Sequence, residues 1–228
     1  MKWLITGDTH GVFTRFKSLD KKIGEEFAVI IVGDAGINYC LDERDYQFKK
    51  FLSKYNCVFY CVRGNHEERP ENCNIPLIWD VNVMGEVYCE KEFPYIRYFK
   101  DGGTYMIDGK KVLTIGGAYS IDKEYRLIHG SRWFESEQLT AEEKEKILEK
   151  VRGQHFDAVL SHTCPLDWEP RDLFLSFIDQ TTVDKRMEIF LNVIKNHITF
   201  DNWYFGHYHA DRWEREGVRQ LYEEIIEF

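Results

Sequence analysis

Residues Met1–Gly11 read MKWLITGDTHG, and this stretch determines how the rest of the chain is interpreted. The apolar residues within Lys2–Thr6 predict a short β-strand, which ends in a turn that carries an aspartate and a histidine. Two later stretches, FAVIIV at 27–32 and CVFYCV at 57–62, are unbroken apolar runs. Such runs are typical of strands that are buried on both faces of a mainly parallel sheet.

Helices are predicted between these strands, because apolar residues recur there at helical spacing. One helix face comprises Val12, Phe16, Leu19 and Ile23, and the next comprises Phe48, Phe51, Leu52 and Tyr55. The alternation of strand and helix predicts an α/β fold. In open sheets of this class, functional sites lie beyond the carboxyl ends of the strands.

The second half of the chain combines hairpins with further strands and helices. The short strands predicted within 86–119 are expected to form a second, more antiparallel sheet, with a hairpin turn at Asp108-Gly109. Thr140 and Glu143 form a capping box that predicts a helix to about Val151. Further predicted elements are a strand at 157–160, a helix carrying Met187, Phe190, Leu191 and Ile194, a strand at 203–205 and a closing hairpin at 212–222. Since no linker interrupts this pattern, the sequence predicts a single domain over 1–228.

The bulk composition narrows the class of protein. The chain has 228 residues, of which 43% are hydrophobic, and this is enough for one sizeable core. Its net charge of −9 argues against long nucleic acids as partners, because their backbone is also negatively charged. We expect no membrane association and a cytoplasmic location, because the sequence has no long apolar run and no signal-peptide core. The six cysteines form no CxxC pair and are expected to be reduced.

Chemically capable side chains follow the apolar strands at five places. They are Asp8 and His10; Asp34; Asn65 and His66; His162; and His207 and His209. Imidazole and oxygen ligands without sulfur suit Mn, Fe, Zn or Co rather than a structural zinc site. The number of candidate ligands fits two divalent ions, which leave a net positive site that attracts phosphate and lowers the pKa of bound water toward 7.

The blocks GDTHG, GDAG, RGNHE, SHTCP and GHYH, in this order between residues 7 and 209, resemble the calcineurin-like metallophosphoesterases. The chain is most similar to small prokaryotic or phage-type members, and its GDTHG and RGNHE blocks resemble those of phosphoprotein phosphatases. The resemblance implies a four-layer α/β/β/α sandwich of two mixed sheets flanked by helices. It also implies metal-dependent hydrolysis of phosphate mono- or diesters by a hydroxide that bridges two metal ions.

The same resemblance implies roles for individual residues. One metal would be held by Asp8, His10, Asp34 and His209, and the other by Asp34, Asn65, His162 and His207, with manganese favoured. His66 would be catalytic and would assist the leaving group. Phosphorylated small molecules, phosphoproteins and nucleotides are all compatible substrates, and the sequence assigns no oligomeric state.

Substrate contacts are expected from Arg63, Asn65 and Arg126. For Arg63 the alternative is an ordinary exposed arginine at a strand end. Phosphoprotein phosphatases carry an Asp-Arg pair three and four residues after the bridging aspartate, where this chain has Ile37 and Asn38. The carboxylate that orients the catalytic histidine and a second phosphate-binding arginine are therefore missing, which weakens the case for a protein phosphatase.

The sequence leaves open the roles of two loops and is compatible with two other functions. Residues 119–134 could line the substrate pocket or form a surface loop, and residues 165–183 could form a lid or pack onto the body. A nuclease or cyclic-nucleotide phosphodiesterase could use the same site. A non-catalytic, protein-binding scaffold of the same fold is disfavoured, because His66 and all the expected ligands are intact.

Overall fold

Two β-sheets pack face to face in the computed structural model, which describes residues 1–19 and 26–228. The strands are β1 (Lys2–Thr6), β2 (Phe27–Val32), β3 (Cys57–Val62), β4 (Leu77–Asp80), β5 (Gly85–Tyr88), β6 (Ile96–Phe99), β7 (Gly103–Ile107), β8 (Lys110–Ile115), β9 (His155–Ser161), β10 (Thr199–Phe205), β11 (Arg212–Arg215), β12 (Val218–Gln220) and β13 (Ile226–Glu227). The first sheet has the order β13-β1-β2-β3-β6-β5-β4, and the second has the order β11-β12-β10-β9-β8-β7. Both sheets are mixed, with parallel strands at their centres.

The alternating side chains of the central strands explain why their sequences are apolar throughout. In β2, Ala28, Ile30 and Val32 join the core between the two sheets. The intervening Phe27, Val29 and Ile31 join a second core on the outer face of the first sheet. Since both faces of the strand are buried, no position of FAVIIV can be polar.

The described residues form the α-helices α1 (Glu43–Leu52), α2 (Lys123–Ile128), α3 (Ala141–Val151) and α4 (Arg186–His197). Three of these helices cover the outer faces of the sheets, whereas α2 has no buried residue. Leu52 of α1 packs on the first sheet, whereas α3 and α4 form the core on the outer face of the second. The predicted capping box is confirmed, since Thr140 Oγ1 accepts from the Glu143 backbone N–H and the Glu143 carboxylate accepts from Thr140. The result is the expected four-layer α/β/β/α sandwich. None of the helices among the described residues has the length and apolar character of a membrane span.

Two local predictions require correction. The strands of 86–119 do not form one antiparallel sheet, because β5 and β6 extend the first sheet while β7 and β8 belong to the second. The pattern of turns was visible in the sequence, but the change of sheet after β6 depends on tertiary packing. The amphipathic helix predicted from Val12 is a short 3₁₀ segment, Thr14–Ser18, and Val12 is exposed. The remaining residue of that face, Ile23, lies outside the described residues.

Candidate metal centre

Three proposed ligands meet at one side of a cleft beyond the carboxyl ends of β1 and β10. The Nε2 atoms of His10 and His209 are 2.9 Å apart, which is close enough for both to bind one ion. The Asp8 carboxylate lies 3.3 Å from His209 Nε2 and 3.8 Å from His10 Nε2. Asp8 is fully buried and the two histidines are partly exposed, so this side of the centre opens to solvent.

Asp34 lies between the two groups of ligands. Its Oδ2 atom is 4.0 Å from His10 Nε2 and 3.6 Å from His162 Nε2, while its Oδ1 atom accepts the backbone N–H of His66 at 2.9 Å. Burial raises the pKa of this carboxyl, but the neighbouring charges of His162 and His66 outweigh burial and hold the pKa well below its ordinary value. Asp34 is therefore an anionic ligand available to both sides.

The second group is more deeply buried. His162 donates from Nδ1 to the Val32 carbonyl at 3.0 Å, and this bond leaves its Nε2 atom directed at Asn65 Oδ1, 2.8 Å away. Burial lowers the pKa of His162, but the carboxylates of Asp34 and Asp8 raise it to about 9. The two carboxylates that favour a proton on this ring would equally favour a cation at its Nε2 atom.

Hydrogen bonds to neighbouring residues fix the orientation of Asn65. Its side-chain amide donates to Ser120 Oγ at 2.9 Å, and this hydroxyl donates to the buried Glu137 carboxylate at 2.6 Å. Because the amide nitrogen is held by Ser120, its oxygen faces His162 and the centre. Sequence reasoning identified Asn65 but missed Ser120 and Glu137, which lie more than fifty residues further along the chain.

His207 lies beside the second group, although it is not among the residues whose ligand atoms fall within 4.8 Å of one another. Its backbone N–H donates to Asp8 at 3.0 Å, and its ring centroid lies 5.0 Å from that of His162. Burial, followed by the positive charge of His162, lowers the pKa of the His207 ring to about 3. The ring is thus neutral and able to bind a metal. Groups of ligand atoms within 4.8 Å of one another include Asp8, His10 and His209 on one side and Asp8, Asp34 and His162 on the other. The donor set therefore fits divalent ions.

Positive backbone φ angles occur at several of the proposed ligands. The angles are 45° at His10, 47° at Asp34, 69° at His207 and 52° at His209. Residues other than glycine rarely adopt this left-handed backbone conformation, and each residue held in it costs on the order of 1–3 kcal/mol of folding free energy. Such strain often accompanies functional sites, and here it turns the side chains that follow the strand ends into the cleft.

The glycines before the ligands mainly provide space rather than sharp turns. A Cβ atom at Gly64 would lie 1.9 Å from Asp34 Oδ1, and one at Gly206 would lie 2.1 Å from Asp8 Oδ1. Only Gly33 of the four glycines identified in the sequence combines such a close approach with a positive φ, of 100°. The sequence suggests that Gly7, Gly33, Gly64 and Gly206 let the backbone turn sharply after each strand, and a positive φ accompanies this role only at Gly33.

His66 lies at the edge of the centre with two charged neighbours from the α2 region. Both of its ring nitrogens are 3.1 Å from Arg126 Nη2, and its Nε2 atom is 3.8 Å from the Asp122 carboxylate. Asp122 in turn accepts from Arg126 Nε at 2.7 Å. An Asp-Arg pair thus reaches His66 from Asp122 and Arg126, whereas the sequence suggested that such a pair was missing after Asp34. The i, i+4 spacing of Asp122 and Arg126 predicts their ion pair from the sequence. That this pair faces His66 depends on where α2 packs.

Arg63 has a structural position. Its side chain is 4% exposed; Nε donates to Asp101 at 3.0 Å and Nη1 donates to the Glu137 carbonyl at 2.8 Å. Neither Arg63 nor Arg126 is among the residues that line the cavity beside the centre. Arg63 is not an exposed arginine at a strand end but a buried one, which ties the loop after β3 to Asp101.

A cavity of about 420 Å³ adjoins the centre and is lined by both loops that the sequence left open. Tyr119 and Asp122 line it from the first loop, and Phe174 lines it from the second. Trp168 instead packs against Trp203 of the core, with ring centroids 5.3 Å apart. The loop 165–183 therefore serves partly as a wall of the cavity and partly as packing.

The wall of this cavity includes a buried carboxylate, Glu188 of α4. Burial raises its pKa from an ordinary 4.5 to about 7. Since the folded state holds this proton more tightly than the unfolded state, the contribution of Glu188 to stability is complete below pH 4.5 and is lost as the pH rises through about 7. Urea unfolding of chelator-treated protein measures this effect. As the pH rises from 4.5 to 8, the free energy of unfolding of Glu188→Gln should increase by about 3 kcal/mol relative to that of the wild type. A constant difference over this range would contradict the assignment.

The comparison with known families agrees with the site. The model of the family described as calcineurin-like phosphoesterase matches residues 1–216 of the 228. The chain therefore belongs to the calcineurin-like phosphoesterase family, whose members are metal-dependent phosphoric ester hydrolases. A comparison with curated proteins gives no match.

Proposed function

We propose that this protein hydrolyses phosphate mono- or diesters with two divalent metal ions held by the buried cleft. Asp8, His10, Asp34 and His209 would hold one ion, and Asp34, Asn65, His162 and His207 the other. The observation that carries the proposal is the position of Asp34, whose carboxylate faces His10 of one group and His162 of the other within 4.0 Å. Such ions would neutralise phosphate charge and lower the pKa of a water molecule.

His66 is proposed to assist departure of the alcohol. Burial and the nearby Arg126 charge lower the pKa of its ring below the ordinary value, although Asp34 and Asp122 act in the opposite direction. A bound phosphate anion adds negative charge beside the ring and favours its protonated form. Asp122, which faces Nε2, holds the orientation of the ring so that a proton can pass to the leaving oxygen.

Asn65 and Arg126 are the proposed phosphate contacts. The Arg126 guanidinium is held by Asp122, by the Tyr39 hydroxyl at 2.9 Å and by the face of the Tyr39 ring, 5.6 Å from its centroid. A guanidinium fixed in this way can present its donors to phosphate oxygens beside His66. Arg63 is not proposed for this role, since its donors already serve Asp101 and backbone carbonyls.

Arg126→Ala should raise KM for p-nitrophenyl phosphate by about tenfold, because a charge-assisted hydrogen bond to the substrate is lost. Steady-state kinetics at saturating metal ion measure the effect. Arg132→Ala, which removes an exposed arginine of the same loop, is the matched control and should leave KM unchanged. Equal effects of the two substitutions would argue against a specific phosphate contact.

The activity itself is tested with purified protein that is stripped of metal with a chelator and reloaded with Mn²⁺, which is the favoured ion, or with Fe²⁺, Zn²⁺ or Co²⁺. We expect turnover of p-nitrophenyl phosphate, bis-p-nitrophenyl phosphate or both in the reloaded protein only. Activity on the diester alone would favour the phosphodiesterase or nuclease alternative. Two bound ions per chain without turnover of either probe would contradict the proposed function.

A further inference from the structure

The cavity beside the metal centre has a polar end and an apolar wall. His66, Asn65 and His207 line it where it meets the centre. Most of its wall is formed by apolar and aromatic side chains, namely Tyr119, Ile121, Leu173, Phe174, Leu175 and Val183, and the polar Asp122, Gln180 and Lys185 also line it. A volume of about 420 Å³ is in the range that encloses one small organic molecule. A group attached to a phosphate at the centre can thus extend directly into apolar surroundings.

One buried polar atom in this wall has no partner. Glu188 is 3% exposed, and its Oε1 atom accepts from Thr163 Oγ1 at 2.8 Å. Its Oε2 atom has no hydrogen-bond partner among the described residues. The nearby cation, Lys185, is paired with Glu169 at 2.6 Å. At a pH above the Glu188 pKa of about 7, the Oε2 atom is an unsatisfied buried acceptor, which is costly, so its presence in a cavity wall points to a ligand that supplies a donor.

We propose that this cavity binds the organic group of the substrate and that Glu188 accepts a hydrogen bond from an N–H or O–H donor on that group. The inference rests on the proposed phosphoesterase function and narrows it to a substrate class. The substrate is a phosphate ester of a ring-sized, largely apolar group that carries a hydrogen-bond donor.

The geometry separates this class from two simpler ones. A small alkyl phosphate would leave the apolar wall exposed to water and gain nothing from it. A purely apolar ester would bury its group but would leave the Glu188 Oε2 atom without a hydrogen-bond partner. A group that carries a donor buries apolar surface against the wall and also donates a hydrogen bond to the carboxylate.

A matched pair of substrates tests the proposal. 4-(Hydroxymethyl)phenyl phosphate and 4-ethylphenyl phosphate have similar size, but only the first carries a donor. The metal-loaded protein should show at least tenfold higher kcat/KM for the hydroxymethyl compound. The two phosphates are also compared as ligands of the chelator-treated protein by calorimetry, so that the subsite is tested even without turnover. In that case the proposed function fails while the tighter binding of the hydroxymethyl compound persists.

Two substitutions link the preference to the cavity. Glu188→Met removes the acceptor at similar volume and should abolish the preference in both measurements, whereas Glu188→Gln keeps an acceptor oxygen and should retain part of it.

Leu175→Trp fills the cavity from a half-exposed wall position and should reduce kcat/KM for both aryl phosphates at least tenfold, with little effect on methyl phosphate. Leu127→Trp on the exposed side of α2 is the size-matched control. If the wild type showed equal kcat/KM and equal affinity for the two aryl compounds, the proposal would be overturned.

Discussion

Asp34→Asn should reduce the affinity for both metal ions together and lower kcat/KM by roughly 10³-fold, about 4 kcal/mol. The asparagine can keep the hydrogen bond from the His66 backbone N–H, because its side-chain oxygen can replace Oδ1. It cannot supply the negative charge that lies between His10 and His162. The loss is therefore chemical rather than conformational, and it falls on both groups of ligands.

Metal titration by calorimetry, with metal content by elemental analysis, measures this effect. Asp201→Asn is the matched control, because Asp201 belongs to an exposed group with His155 and Asp157 that also brings its ligand atoms within 4.8 Å of one another. This control should change neither stoichiometry nor turnover. If Asp34→Asn weakened one ion and left the other unaltered, the shared-ligand assignment would be wrong.

His66→Gln should lower kcat by about 10²–10⁴-fold while two ions remain bound. The ring of His66 faces Arg126 and Asp122, its Nδ1 atom lies 3.8 Å from the Asp34 carboxylate, and it is not one of the proposed metal ligands. Removing its ring should thus take away proton transfer without loss of a metal ligand. The reduction should be larger for esters with poor leaving groups, such as alkyl phosphates, than for p-nitrophenyl phosphate.

His129→Gln serves as the control for His66, since His129 is exposed at the end of α2. It should leave kcat unaltered. A His66→Gln protein with full activity on both alkyl and aryl esters would remove His66 from the catalytic machinery, while leaving the metal-dependent class in place. Loss of bound metal in this variant would instead show that the ring helps to hold an ion.

The proposed metal ligands were accessible to sequence reasoning because each follows an apolar strand. Asp8, Asp34 and His162 come within two residues of the ends of β1, β2 and β9. Since β1 and β2 are parallel neighbours and β9 lies in the other sheet, the meeting of all three strand ends also depends on how the sheets pack. The capping box at Thr140 was likewise local. Information of this kind is carried by neighbouring residues, so it does not require knowledge of the packing.

The residues around the ligands were not accessible in the same way. Asp122 reaches His66 only because α2 lies over the cleft, and Glu188 reaches the cavity only because α4 packs beside Thr163. Arg63 looked like a substrate residue from its motif, yet its burial against Asp101 depends on a turn 38 positions later. Such contacts arise from tertiary packing, and no short sequence pattern specifies them.

The distance along the chain between His10 and His209, 199 residues, has a consequence for biosynthesis. A ribosome must release the chain through His209 before the two imidazoles can meet, and contacts of such sequence separation form late in folding. Metal ions in the cell would thus encounter a finished cleft rather than assist an early stage of collapse, and nascent fragments that lack the last strands would have no complete place to retain them.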